Sequence, residues 1–233
     1  MVSEKLRREV LEANLELIRR GLVIYTFGNA SGIDREQGLV IIKPSGVAFD
    51  ELTPHSMVVA DLDGRVVEGT LKPSSDLPTH IALYRAFSQI GGVVHTHSRF
   101  ATAWAQAGRE IPCFGTTHAD YFHDCVPLTA PLTEAEIEGK YEWNTGEAII
   151  RRFRDMHPLS APGVLVAGHG PFAWGNTPQA AAQNAVLLEE IAAIAYHTIT
   201  INAAADPISK ALHDRHFLRK HGATAYYGQP ELK

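Results

Sequence analysis

Three histidines offer the clearest chemistry in this sequence. His95 and His97 flank Thr96 at the end of the apolar run GGVVHTH, and His169 ends a second compact run, GVLVAGHGPF. Strand side chains alternate between faces, so His95 and His97 project to one side and Thr96 to the other. Two imidazoles on one face at a strand end can chelate a divalent ion. A third from a neighbouring strand would complete a set that still leaves a coordination position open, as a catalytic metal site requires. Gly168 and Gly170 around His169 permit close backbone approach there. Neutral imidazole suits zinc, manganese and other first-row ions, and spacing does not choose among them. The other histidines (His55, His80, His118, His123, His157, His197, His213, His216 and His221) are expected on helix surfaces and in turns.

Three short segments have the composition of an anion cradle: GNASG (28–32), KPSG (43–46) and KPSSD (72–76). Each places small residues with hydroxyl, amide or backbone donors in an expected turn, and Lys43 adds a positive charge. The third also stands at an expected helix N-terminus, where free N–H groups and the helix dipole favour a phosphate. None is a Walker loop or a GxGxxG, so nucleotide binding is not indicated. Beside a metal, the three together point to a small phosphorylated substrate.

The elements that must position these residues can be read from pattern. Residues 3–20 form an amphipathic helix capped by Ser3 and ended by Gly21. Strands are expected at 40–43, 57–61 and 65–68, the last two joined by the hairpin turn Asp63-Gly64. A helix over 76–90 carries Pro78 in its first turn; strand 93–97 and a helix over 98–107 follow. Thr133 and Glu136 form a capping box, and a helix is expected over 146–155. Strands 163–167 and 172–174 precede a long buried helix from Thr177-Pro178 to Ala195 and a last helix from Asp206-Pro207 to Gly222. The chain of 233 residues reads as one mixed α/β domain over 1–233. A net charge of −5 without a basic cluster argues against nucleic acid as a partner. No apolar run has the length of a membrane span, and MVSEKLRREV lacks the apolar centre of a signal peptide. Cys113 and Cys125, neither in a CxxC, are expected as thiols in a reducing cytoplasm.

The motifs NASG, KPSG, PSSD, HTH, GTTHADYF, YEWNTG, GHGPFAWG and AYYGQ occur in the order found in the class II aldolase/epimerase superfamily. The chain resembles that superfamily, and within it the L-ribulose-5-phosphate 4-epimerases, over nearly its whole length. The resemblance implies an α/β fold of three layers, with a largely antiparallel central sheet between helices. It also implies a fourfold-symmetric homotetramer with active sites at subunit interfaces. It assigns one divalent metal ion per subunit, zinc first and manganese or cobalt as alternatives, to His95, His97 and His169, with Asp76 beside them. Asn29, Lys43, Ser45, Gly46, Ser74 and Ser75 fall where the family binds phosphate. Asp120 and Tyr227 match its acid/base pair, and Thr116, Glu142, His216 and Arg219 match other active-site or interface positions.

The activity implied is interconversion of L-ribulose 5-phosphate, a phosphorylated pentulose, and D-xylulose 5-phosphate. C4 is not next to the carbonyl, so its C–H is not acidic. Retro-aldol cleavage of C3–C4 and re-addition to the other face of the aldehyde avoids that obstacle. An L-fuculose-phosphate aldolase is the nearest rival, but its motif usually reads SSE where this chain has SSD. A non-catalytic adducin-like head would have no need of three histidines and the anion segments. A zinc hydrolase would need a group to activate water, and only Asp76 offers one. Two departures stand out: Ala167 where relatives often carry another histidine, and FHDCVPLT (122–129) next to Asp120.

Overall fold

The computed structural model describes residues 3–222 together with 225 and 226. Helix α1 (Glu4–Arg19) starts where the Ser3 hydroxyl accepts the Leu6 N–H at 3.2 Å, and Val10, Ala13 and Leu17 form its buried face. Seven strands follow in sequence: β1 (Asn29–Asp34), β2 (Leu39–Ile42), β3 (Val58–Asp61), β4 (Val66–Glu68), β5 (Gly92–His95), β6 (Gly163–Val166) and β7 (Gly170–Gly175). They form one sheet in the order β4-β3-β2-β1-β5-β7-β6, with every ladder antiparallel. The remaining helices are α2 (Leu77–Ala86), α3 (Arg99–Gln106), α4 (Thr116–Ala119), α5 (Glu134–Glu138), α6 (Tyr141–Arg152), α7 (Pro178–Ile201) and α8 (Lys210–His221).

The period of two sorts the sheet's side chains into two cores. Ala30, Ile41, Val59, Val94 and Ala173 face α1 and the first half of α7. Val40, Ile42, Val58, Val93, Phe172 and Trp174 face α2, α3, α6 and the second half of α7. Helix layers therefore cover both faces, which is the three-layer arrangement expected from the resemblance.

Several local expectations change. GNASG is not a turn: Asn29–Asp34 is the central strand β1, paired on both sides. Its small residues serve packing, because a Cβ on Gly32 would come within 2.9 Å of both Pro178 and Val10. Helix α6 begins at Tyr141 rather than 146. Gly146, which reads as a boundary, lies inside the helix where a Cβ would meet that of Ala82 at 2.6 Å, so it sets the close contact of α6 with α2. Helix α8 is capped by the Ser209 hydroxyl and starts at Lys210, past Asp206-Pro207. Strand β5 ends at His95, so His97 lies just beyond it. Three histidines expected at the surface, His80, His118 and His213, are buried.

Candidate metal centre and anion cradle

Antiparallel pairing places His95 between Asn29 of β1 and Phe172 of β7. Its ring stacks on Phe172, with centroids 4.2 Å apart, and its Nδ1–H donates to the Pro171 carbonyl at 3.0 Å. That bond fixes the tautomer and leaves Nε2 as a bare lone pair facing its neighbours. His97 Nε2 lies 3.0 Å from it. His169 sits in the tight β6–β7 turn, where its N–H donates to Val166 O and Gly168 takes φ +70°. One donor atom from each of His95, His97 and His169 falls within 4.8 Å of the others. Tetrahedral zinc with Zn–N of about 2.0–2.1 Å would hold its ligand nitrogens about 3.3 Å apart, so the trio fits a single ion. Burial pulls the His95 imidazole down to about 3 and also lowers His169, which keeps these lone pairs free of protons at neutral pH.

Lys43 and the segments 44–46 and 74–76 line the same cavity, of about 490 Å³. The two KPS segments are zipped together: the Ser45 N–H donates to Lys72 O at 2.9 Å and the Ser74 N–H to Lys43 O at 3.0 Å. Asn29 ties the GNASG segment to them, donating to Ser74 Oγ at 3.0 Å. Ser45, Gly46 and Ser75 are exposed at the mouth. Lys43 is buried instead. Its ammonium donates to the carbonyls of Thr26, Pro44 and Val47, and burial brings it down to about 8. It therefore pins two loops of the cradle while contributing positive charge beneath them.

Asp76 precedes α2 and lines this cavity, but it is not part of the histidine trio. Its Oδ2 accepts from Asn29 Nδ2 at 2.6 Å. Burial alone would raise this carboxyl; the imidazoles of His95 and His80 and the Asn29 amide outweigh it and hold Asp76 below the usual carboxylate range. Glu142 lines the cavity from the first turn of α6. Its neighbour Tyr141, which sequence reasoning passed over within YEWNTG, reaches His169 Nδ1 with its hydroxyl at 3.3 Å.

A second group of expected site residues assembles elsewhere. Asp120, at the C-terminal end of α4, accepts a two-pronged bond from Arg219 of α8, Nε at 3.0 Å and Nη2 at 2.7 Å. His216 Nδ1 lies 3.1 Å away. Burial alone would raise Asp120, but its hydrogen bonds from Arg219 and His216 and the nearby Arg219 and Lys220 charges together outweigh it and hold the carboxyl below its ordinary value. Thr116 opens the same short helix. None of Thr116, Asp120, His216 and Arg219 lines the cavity of the trio within this chain. Tyr227 lies outside the described residues.

The family model for the class II aldolase and adducin N-terminal domain matches residues 8–196. The chain belongs to the class II aldolase family. L-ribulose-5-phosphate 4-epimerase UlaF of Salmonella paratyphi B (strain ATCC BAA-1250 / SPB7) is 54% identical over 226 residues, covering 97% of this chain and 99% of the relative. The protein of the same name from Salmonella typhi matches at the same identity and coverage. Among solved structures, an L-fuculose 1-phosphate aldolase superposes with a TM-score of 0.78 at 25% identity, over 93% of this chain and 96% of that one. The all-antiparallel sheet with helices on both faces matches the fold of the family's solved members.

Proposed function

We propose that this class II aldolase family member is an L-ribulose-5-phosphate 4-epimerase, a single domain over residues 1–233 that interconverts L-ribulose 5-phosphate and D-xylulose 5-phosphate. The observation that carries the reading is one cavity in which three converging imidazoles face a zipped anion cradle. The relatives of that name, 54% identical across 97% of the chain, support it.

His95, His97 and His169 would hold one divalent ion with Asp76 beside them; zinc suits three imidazoles best, with manganese or cobalt as alternatives. Such an ion would supply Lewis-acid stabilisation, worth several kcal/mol, to negative charge developing on the substrate. Asn29, Ser45, Gly46, Ser74 and Ser75 grip the phosphate, over the charge of Lys43. When C3–C4 opens, that grip keeps glycolaldehyde phosphate in place while its aldehyde turns over. Asp120, ionised by its cationic partners, takes the C4 hydroxyl proton. Tyr227 protonates the new alkoxide from the opposite side. Each step is of the kind that contributes ~10²–10⁴-fold.

Because the Asp120 cluster is absent from the cavity lining of its own chain, we assign it to the site of a neighbouring subunit, in a homotetramer with active sites at the interfaces. Thr116, Glu142, His216 and Arg219 would complete that shared site. Phe27, 58% exposed in the cavity wall, and Tyr25, 82% exposed two residues before it, supply apolar surface for such a contact. No helix among the described residues is long and apolar enough to cross a membrane. The free thiols Cys113 and Cys125 support a cytoplasmic location.

Metal-loaded protein supplied with L-ribulose 5-phosphate should form D-xylulose 5-phosphate, and a chelator should stop it. No product would refute the epimerase reading. Release of free aldehyde from a sugar phosphate without epimerisation would make the chain an aldolase instead.

A further inference from the structure

A buried polar seam runs from the cavity into the core between α2 and β1. Asp76, His80 and Tyr84 stand at i, i+4 and i+8, which places them on one stripe of the helix. Asn29 and Ser31, two apart on β1, share the strand face that meets this stripe. Asn29 binds Asp76 at 2.6 Å, while Ser31 Oγ lies 2.7 Å from His80 Nδ1 and 2.8 Å from the Tyr84 hydroxyl. Ser31 and His80 have no exposed surface, and Tyr84 has 1%. A dry interior penalises polar groups that lack partners, yet two atoms on the seam have none: His80 Nε2 and Asn29 Oδ1.

The seam's polarity can be worked out. The Ser31 hydroxyl has one proton and sits between two groups. If Tyr84 donates to Ser31 and Ser31 donates to His80 Nδ1, the imidazole proton is on Nε2. The reverse chain would leave Nε2 as a bare lone pair near the Asp76 anion, whose charge His80 feels directly. The carboxylate therefore selects the Nε2–H form. Burial brings His80 down to about 4, so the ring remains a neutral donor at physiological pH.

We infer that His80 is a positioning residue for the Asp76 carboxylate, its Nε2–H held by Ser31 and Tyr84 as the donor that receives Asp76 when the carboxylate turns from Asn29 toward the metal site. The inference rests on the proposal that Asp76 serves that site. An aromatic residue of similar size at position 80 would fill the space as well as histidine does, so packing alone does not call for an imidazole with one nitrogen unpaired. Outer partners of metal-binding side chains commonly alter metal affinity by ~10–100-fold.

The test is a titration of metal-free protein with Co(II), following its visible spectrum and its affinity against a competing chelator. His80→Phe should weaken Co(II) binding ~10–100-fold and alter the spectrum. His80→Gln, which retains a donor near the Nε2 position, should recover most of the loss. In an Asp76→Asn background, His80→Phe should have little further effect, because its action runs through the carboxylate. A folded His80→Phe protein with wild-type affinity and spectrum would overturn the inference, as would an equal loss in both Asp76 backgrounds. Should His80→Phe not fold, Ser31→Ala replaces it, with a smaller loss in the same direction expected and no loss counting against the inference. The metal-site reading fails separately, if wild-type protein binds no Co(II) or His95→Asn binds it undiminished.

Discussion

The histidine trio and the Asp120 cluster are held by different kinds of scaffold. His95 stands on β5, hydrogen-bonded to β1 on one side and β7 on the other, and His169 stands in the turn joining β6 to β7. Three backbone ladders thus fix His95 and the turn that carries His169, and His97 follows two residues past the end of β5. Asp120 ends the four-residue helix α4 and is fixed by side chains of α8, chiefly Arg219 and His216. A metal site needs several donors within tenths of an ångström of one geometry, which a central sheet provides. A proton-transfer group needs reach and a defined charge state, which a short helix clamped by cations provides. On the proposed function, metal binding belongs to the single chain and proton transfer to the assembled enzyme.

The largest expected effect tests the trio. His95→Asn should strip the metal and lower epimerase activity on the order of 10⁴-fold, since several kcal/mol of charge stabilisation go with it. Metal analysis and a product assay read both, and full metal retention would break the distinction between the two regions. Asp120→Asn should lose about 10³-fold in kcat while its metal content stays at the wild-type level. Activity that survives in Asp120→Asn/Tyr227→Phe would remove this pair from the mechanism.

Next comes acid stability, to which buried histidines of both regions contribute, His95 of the trio among them. His80 behind the trio and His118 in α4 are both pulled down to about 4, chiefly by burial, from 6.5. Between those values the unfolded chain binds protons that the folded one refuses, so stability is full above pH 6.5 and declines as pH falls toward 4. Each histidine accounts for about 3 kcal/mol at most. Urea unfolding of metal-free protein at pH 7 and pH 5 should show the fall, and His118→Phe should shrink it. An unchanged midpoint would mean that these histidines are not buried neutral. The smallest effect concerns the cradle: Ser45→Ala should raise KM about 10-fold with kcat nearly unchanged, the cost of one hydrogen bond to a charged group.

Much of the site was legible in the sequence because its chemistry lies at the ends of strongly patterned strands. The period of two put His95 and His97 on one side, and the Asp63-Gly64 turn announced the β3–β4 hairpin, with Gly64 at φ +82°. What escaped pattern was set by close packing between elements. β1 is composed of small residues because α1 and α7 press on it, so NASG reads as a turn. Gly146 reads as a helix boundary because the contact it serves, with Ala82, is distant in sequence. The helical spacing of Asp76, His80 and Tyr84 was available, but which face of α2 meets β1 was not. Tyr141 likewise reaches His169 only through the fold.

The account stands or falls on inversion at C4 by opening a carbon–carbon bond. The direct measurement is epimerisation of L-ribulose 5-phosphate by the metal-loaded enzyme in D₂O, with NMR analysis of the product. The account predicts D-xylulose 5-phosphate that carries protium at C4, because the C4–H bond is never broken. Deuterium at C4, or no epimer at all, would contradict it.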